Sequence, residues 1–197
     1  IIEAQANVAE LAKINEKNQL FDLVLINDIN PHPENLAYLF KYDSTYGKFD
    51  GDVFHGEETI VINQNKSRYS SHASLDKIPW DELSIDLVID CSGVAKNISD
   101  GKSLIQEKKF KKMIVTNSYE DVDNEIIMGV NDGELSSNDN VVSNSICDAN
   151  AIAHIMKWLD EEFEILGGSL TTLHPWLAYQ NLVDGTSISS SNPGVVW

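Results

Sequence analysis

The chain has 197 residues, 42% of them hydrophobic, enough for one sizeable core or two small ones. Fourteen basic residues against 31 acidic ones leave a net charge of -17. Such a field repels nucleic acid and anionic membranes, so neither is expected as a partner. Cys91 and Cys147 are the only cysteines and lack metal-ligand spacing, which argues for no metal site, no disulfide framework and a reducing compartment. No apolar run reaches the length of a membrane span, and Ile1 opens no signal-peptide pattern. The expectation is therefore a cytoplasmic protein.

In chain order, "EAQANVAELAKINEKN" carries Ala4, Val8, Leu11, Ala12 and Ile14 at near-helical spacing. "FDLVLIND" (Phe21 to Asp28) is a continuous apolar run of the kind that suits a strand covered on both faces. "ETIVIN" (Glu58 to Asn63) and "SIDLVIDCSG" (Ser84 to Gly93) predict two more strands, the second followed by a weakly helical stretch to about Lys109. The basic cluster "EKKFKKM" (Glu107 to Met113) reads as a helix C-terminus favoured by the dipole. "KKMIVTN", "EIIMGVN" and "NVVSNS" (Lys111 to Asn117, Glu125 to Asn131, Asn140 to Ser145) complete the series of short strands.

Helices alternating with such strands predict an α/β fold, a Rossmann-like, doubly wound and largely parallel sheet. From Cys147 the pattern turns helical, with Ile152, Ile155, Met156, Leu159 and Phe163 on one stripe that needs a packing partner. "GGSLTTLHPW" (Gly167 to Trp176) predicts a new strand, and "GTSISSSNPG" (Gly185 to Gly194) a loop. The expected division is a nucleotide-type domain over 1–146 and the start of an α+β domain over 147–197.

Ligands of doubly wound sheets sit beyond the carboxyl ends of the strands. Asp28 ends its run there and suits the hydroxyls of an adenosine ribose, which favours NAD over NADP; it reads equally well as a turn residue. No G-x-G-x-x-G precedes it to cradle a pyrophosphate. In "SNSICDAN" (Ser143 to Asn150), Cys147 falls at a predicted helix N-terminus, where the positive end charge favours thiolate. Ser145 or Asn144 is a possible cap. A histidine base would complete an activated nucleophile. His32, His55 and His72 lie in polar sequence, and His154 reads as structural. His174, ending an apolar run before Pro175, is the best candidate.

From Phe21 to Gly185 the chain resembles the glyceraldehyde-3-phosphate dehydrogenases. "YDSTYGKFDG" (Tyr42 to Gly51) is close to that family's Tyr-Asp-Ser-Thr-His-Gly-Lys-Phe segment. "IND", "CSGV", "MGVN" and "TTLH…Q…VDG" follow in the family's order, and "SNSICDAN" takes the place of Ser-Asn-Ala-Ser-Cys-Thr-Thr-Asn. The resemblance implies that Cys147 is the catalytic cysteine and His174 its partner. It implies further that Asp28 holds the adenosine ribose of NAD, that Ser92 and Gly93 line the cofactor pocket, and that the protein is a homo-oligomer, a tetramer in that family. The implied reaction is oxidation of a small-molecule aldehyde through a cysteine thioester, with NAD as cofactor.

The substrate pocket departs from the family pattern. Ile146 stands for a serine and Asp148 for a threonine beside the cysteine, and Leu177 and Tyr179 for two threonines after the histidine. A carboxylate about 4 Å from a substrate phosphate, at an effective dielectric near 20, repels it by roughly 4 kcal/mol. Asp148 facing the substrate would disfavour a triose phosphate and oppose thiolate formation. Pointing to solvent, it would be an ordinary first-turn acid. Two readings follow: oxidation of a different aldehyde, or a non-catalytic or regulatory paralogue acting through protein contacts. The missing glycine loop and the stop at Trp197 lead us to expect an incomplete portion of a larger protein.

Overall fold

The computed structural model describes Leu11, Asn15 and residues 20–43 and 46–173. The predicted N-terminal helix, His174, Leu177, Tyr179 and the 185–194 loop lie outside the described residues, apart from Leu11 and Asn15. The chain divides into two compact units, Ile1–Lys157 and Trp158–Trp197.

The first unit holds two four-stranded sheets. The apolar run from Phe21 yields a strand, β1, only over Leu25–Asn27. Helix α1 (Pro33–Lys41) follows, with Pro33 in its first turn where no intrahelical N–H is needed. It buries Leu36, Ala37 and Phe40. After it come a two-residue pair, β2 (Tyr42–Asp43) and β3 (Gly47–Lys48), then β4 (Val53–His55), β5 (Thr59–Ile62) and β6 (Asn65–Ser70).

The first sheet runs β1-β6-β5-β4, with β1 parallel to β6 and the other pairings antiparallel. This half therefore departs from an all-parallel expectation, and the connections give the reason. Ile62 pairs with Asn65 across a turn of Asn63 and Gln64, far too short for a crossover. Asn63 takes φ 53, a left-handed conformation that asparagine tolerates better than most residues. Ile60 and Ile62 alternate inward and meet Ile26, Leu36, Phe40, Phe49 and Tyr69 in one core cluster. Phe40 and Phe49 pack edge to face, 6.2 Å apart.

The second sheet is wholly parallel. It is built from β7 (Leu87–Asp90), β8 (Lys112–Val115), β9 (Asn124–Glu125) and β10 (Val141–Ser143) in the order β7-β8-β10-β9. Helix α2 (Lys96–Gln106) makes the β7–β8 crossover. Its Gly101 lies so close to Met113 on β8 that a Cβ would collide with the sulfur. Ile98 and Leu104 flank that contact in a second core with Trp80, Phe110, Val115 and Val141. Thus the α/β fold stands, with a parallel sheet and helices.

Two strand expectations change. Of "EIIMGVN", only Glu125 pairs as strand; Gly129 at φ 83 turns the chain, and Ile127 accepts the N–H groups of Val130 and Asn131. Residues 167–173 form no strand. The basic cluster begins where α2 ends; Lys109 pairs with Asp81 at 2.6 Å and Lys111 with Asp86 at 2.5 Å, while Lys112 Nζ donates to the carbonyls of Ser137 and Asp139.

Candidate active site

Strand register brings one end of the parallel sheet into line. Asp90 pairs with Val115, Val115 with Ser143 and Ser143 with Glu125, so all four strands finish at one edge. Beyond it lie Cys91–Gly93, Thr116–Ser118 and Asn144–Cys147. With neighbouring strands about 4.8 Å apart, the ends of β7 and β10 are on the order of 10 Å apart across β8.

Cys147 is the first residue of helix α3 (Cys147–Phe163), as its sequence context predicts, and it is exposed. Its thiol is at the dipole-positive end of a 17-residue helix. The Asp148 carboxylate stands 3.4 Å from the sulfur, in position to accept a hydrogen bond from it. Asp148 is therefore turned toward the thiol. Ile146, the residue before Cys147, is 38% exposed and offers no side-chain donor.

Neither predicted cap serves through its side chain. The Asn150 amide reaches back and donates to the carbonyls of Asn144 (2.8 Å) and Ile146 (3.0 Å), tying the first turn to the segment before it. Ser145 is buried at φ 66, and its hydroxyl donates to Glu125 Oε1 at 2.5 Å. The other Glu125 oxygen accepts from Ser118 Oγ at 2.6 Å. Sequence reasoning missed Glu125, because a polar residue opening an apolar run carries no mark of the serines it will meet.

His154 is structural, as expected. Its Nε2 lies 2.7 Å from the Met128 carbonyl, and Lys157 Nζ donates to the carbonyls of Gly129 (3.2 Å) and Val130 (2.8 Å). The "MGVN" turn is thereby held against α3.

At the β7 end, Asp90 accepts the Ser92 N–H at 2.8 Å and the amide of buried Asn97 at 3.0 Å. Asn97 also donates to Ser92 Oγ at 3.0 Å, which accepts the Val94 N–H at 3.2 Å. Gly93 takes φ 70, a conformation that costs a side-chain-bearing residue. These bonds hold the loop with the chain's own groups. Asp90 and Asn97 were not singled out in the sequence; an acid two residues before a predicted loop serine was the available signal.

Asp28 sits half-buried past the end of β1, in the first sheet. It closes an Asx turn, accepting the Asn30 N–H at 2.8 Å, so it is a turn residue. A carboxylate has about four acceptor positions, so the turn leaves capacity for ribose hydroxyls. Below it Tyr69 donates to the Asn30 carbonyl, and burial, then Asp28 and Glu34, push its phenol up to about 12. Tyr69 therefore stays a donor at neutral pH. The chemistry of these residues fits the adenosine side of a dinucleotide: a carboxylate for hydroxyls, and an ordered, glycine-bearing turn at a parallel strand end. Among the described residues no pairing joins the two sheets.

Comparison with known proteins agrees with this arrangement. Residues 7–98 match the model of the glyceraldehyde 3-phosphate dehydrogenase NAD-binding domain. The chain is also similar to glyceraldehyde-3-phosphate dehydrogenase of Chlamydia pneumoniae, 34% identical over 178 residues, which is 90% of this chain and 52% of the relative. It thus spans about half the length of the curated relative it matches. NAD is the cofactor of this domain type. On these likenesses, and with the parallel sheet and helices of an α/β fold, the chain belongs to the glyceraldehyde-3-phosphate dehydrogenase family.

Proposed function

We propose that the protein is an NAD-dependent aldehyde oxidoreductase working through a thioester on Cys147, with a substrate pocket altered from the family pattern. The observation that carries this reading is the exposed Cys147 thiol opening α3. In thiolate form its sulfur pair would bond the aldehyde carbon while the carbonyl π pair moves to oxygen. His174, outside the described residues, would hold the proton of that oxygen. NAD, when bound, supplies the acceptor for the hydride lost from that carbon, leaving an acyl group on sulfur. Phosphate or water then takes the acyl group and returns the thiolate. Asp28, Ser92 and Gly93 would hold the cofactor.

Asp148 at 3.4 Å from the sulfur supports a substrate without a phosphate at this position, although at an exposed site the repulsion falls to about 1 kcal/mol. Ile146 beside the cysteine, and Leu177 and Tyr179 by resemblance, supply fewer hydroxyl donors than the family pattern. A soluble homo-oligomer in the cytoplasm is part of the same proposal. The Asp148 contact also favours the second reading, a paralogue without catalysis, because it works against thiolate.

Two measurements separate the readings: alkylation of Cys147 relative to Cys91 near neutral pH, and NAD titration by calorimetry. The enzyme reading expects faster modification of Cys147 and saturable NAD binding, followed by an acyl adduct on Cys147 with an unphosphorylated aldehyde. Equal reactivity of the two cysteines together with no NAD binding leaves only the non-catalytic reading.

A further inference from the structure

The segment leading into Cys147 is held by a clamp that the reaction outlined above does not require. Glu125 is the last residue of β9 and the pairing partner of Ser143 on β10. Its two carboxylate oxygens accept from two different connections, Ser118 after β8 at 2.6 Å and Ser145 before α3 at 2.5 Å. Hydrogen bonds from neutral donors to a carboxylate are stronger than neutral pairs, and each here ties one strand end to the next.

Ser145 is the place where the chain turns. It is buried, at φ 66, and its own N–H donates to Ser143 Oγ at 2.8 Å, while Ser143 Oγ donates to the Asn117 carbonyl at 2.8 Å. A non-glycine residue in the left-handed region costs conformational energy, on the order of 1 kcal/mol, and persists where surrounding contacts hold it. Two residues later Cys147 begins the helix. A shift at Ser145 therefore moves the thiol relative to the helix end.

We propose that Glu125 is a positioning residue for Cys147: by holding the Ser145 hydroxyl it fixes the strand-to-helix elbow that presents the thiol at the N-terminus of α3. The inference rests on the reading of Cys147 as the nucleophile. Glu125 touches no reacting atom and acts through Ser145. Its carboxylate contributes geometry, and the Ser118 bond keeps it from following Ser145 if the elbow moves.

The test uses the full-length protein and four variants, Ser145→Ala, Glu125→Ala, Glu125→Gln and the double variant of Ser145→Ala with Glu125→Ala. Two quantities are read in each: the alkylation rate of Cys147 divided by that of Cys91 in the same molecule, and hydrogen exchange at the Asn144 and Ser145 amides. Ser145→Ala changes no charge, so its effect is that of the lost clamp. The ratio should fall about two- to fivefold, the range a helix-end charge supplies, and amide exchange should quicken. Glu125→Ala should match it, the double variant should add little, and Glu125→Gln, which keeps an acceptor oxygen, should restore most of the ratio.

Unchanged ratio and exchange in Ser145→Ala overturn the clamp. A ratio that rises in both Glu125 variants while Ser145→Ala stays at the parent value assigns the effect to charge and also overturns it. If the parent protein shows Cys147 no faster than Cys91, the nucleophile reading fails by itself, and amide exchange still decides whether Glu125 holds the elbow.

Discussion

Replacing Asp148 with asparagine keeps an oxygen near the Cys147 sulfur and removes its charge. At 3.4 Å, a thiolate and a carboxylate repel by about 1.2 kcal/mol in water and about 5 kcal/mol at an effective dielectric of 20. Cys147 is exposed, so the lower figure applies, and it corresponds to about an eightfold change in thiolate fraction. A more acidic thiol is also a weaker nucleophile, with a Brønsted slope of about 0.45, which returns roughly 2.5-fold of that gain. The net expectation is that Asp148→Asn reacts about threefold faster at Cys147 with an aromatic disulfide at pH 7, with Cys91 unchanged as the internal reference. Added salt should shrink the difference only modestly, because the contact is shorter than the Debye length of about 8 Å. An unchanged or slower rate would refute the reasoning, for it would mean that the carboxylate does not govern ionisation of the thiol.

Other perturbations test the framework around the site. Burial pushes the Asp123 carboxyl up, but the Lys102 ammonium at 2.7 Å and the N–H groups of Val141 and Asn140 outweigh it and hold it below the ordinary value. Its contribution is present above the unfolded value of about 3.9 and is lost as pH falls through the folded one. Asp123→Asn should therefore destabilise by about 1–3 kcal/mol at pH 7, a gap that closes in acid denaturation series. Tyr69, raised to about 12, gives the opposite case: its contribution is whole below about pH 10 and is lost as pH rises through 12. Tyr69→Phe should remove that alkaline loss from the stability profile. Gly101→Ala gains about 1 kcal/mol of helix propensity and loses about 1–3 by crowding Met113. Chemical denaturation should find it neutral to about 2 kcal/mol less stable, and a clear stabilisation would deny the close approach of α2 to β8.

The parallel strands were the legible part of the chain, because their apolar runs are nearly continuous; β7, β8 and β10 all fall inside predicted runs, although Leu87 and Ile89 of β7 stay exposed. β6 escaped for the complementary reason: "NKSRYS" shows only Ser67 and Tyr69 to the core, and serine carries no hydrophobic signal. Helix α1 escaped because it is only nine residues long, and Leu36, Ala37 and Phe40 are too few to set a period. At the site, Cys147 was legible through its place between an apolar strand and a helical period. The contacts of Asp148 and Glu125 were not, since both depend on the path of the elbow, which positive φ at Ser145 decides. Pairing partners across β9 and β10 are a property of register, and register is set by residues far apart in the chain.

The bond from His154 to the Met128 carbonyl also bears on the cysteine at the other end of the same helix segment. A carbonyl oxygen only accepts, so this contact keeps a proton on Nε2 and leaves Nδ1 as the ring's basic position. Seven residues at about 100° each fall some 20° short of two full revolutions, so Cys147 and His154 share one azimuth, about 10 Å apart along the axis. Pinning the imidazole to the turn therefore fixes the bearing of the thiol around that axis, much as a keyway fixes a shaft.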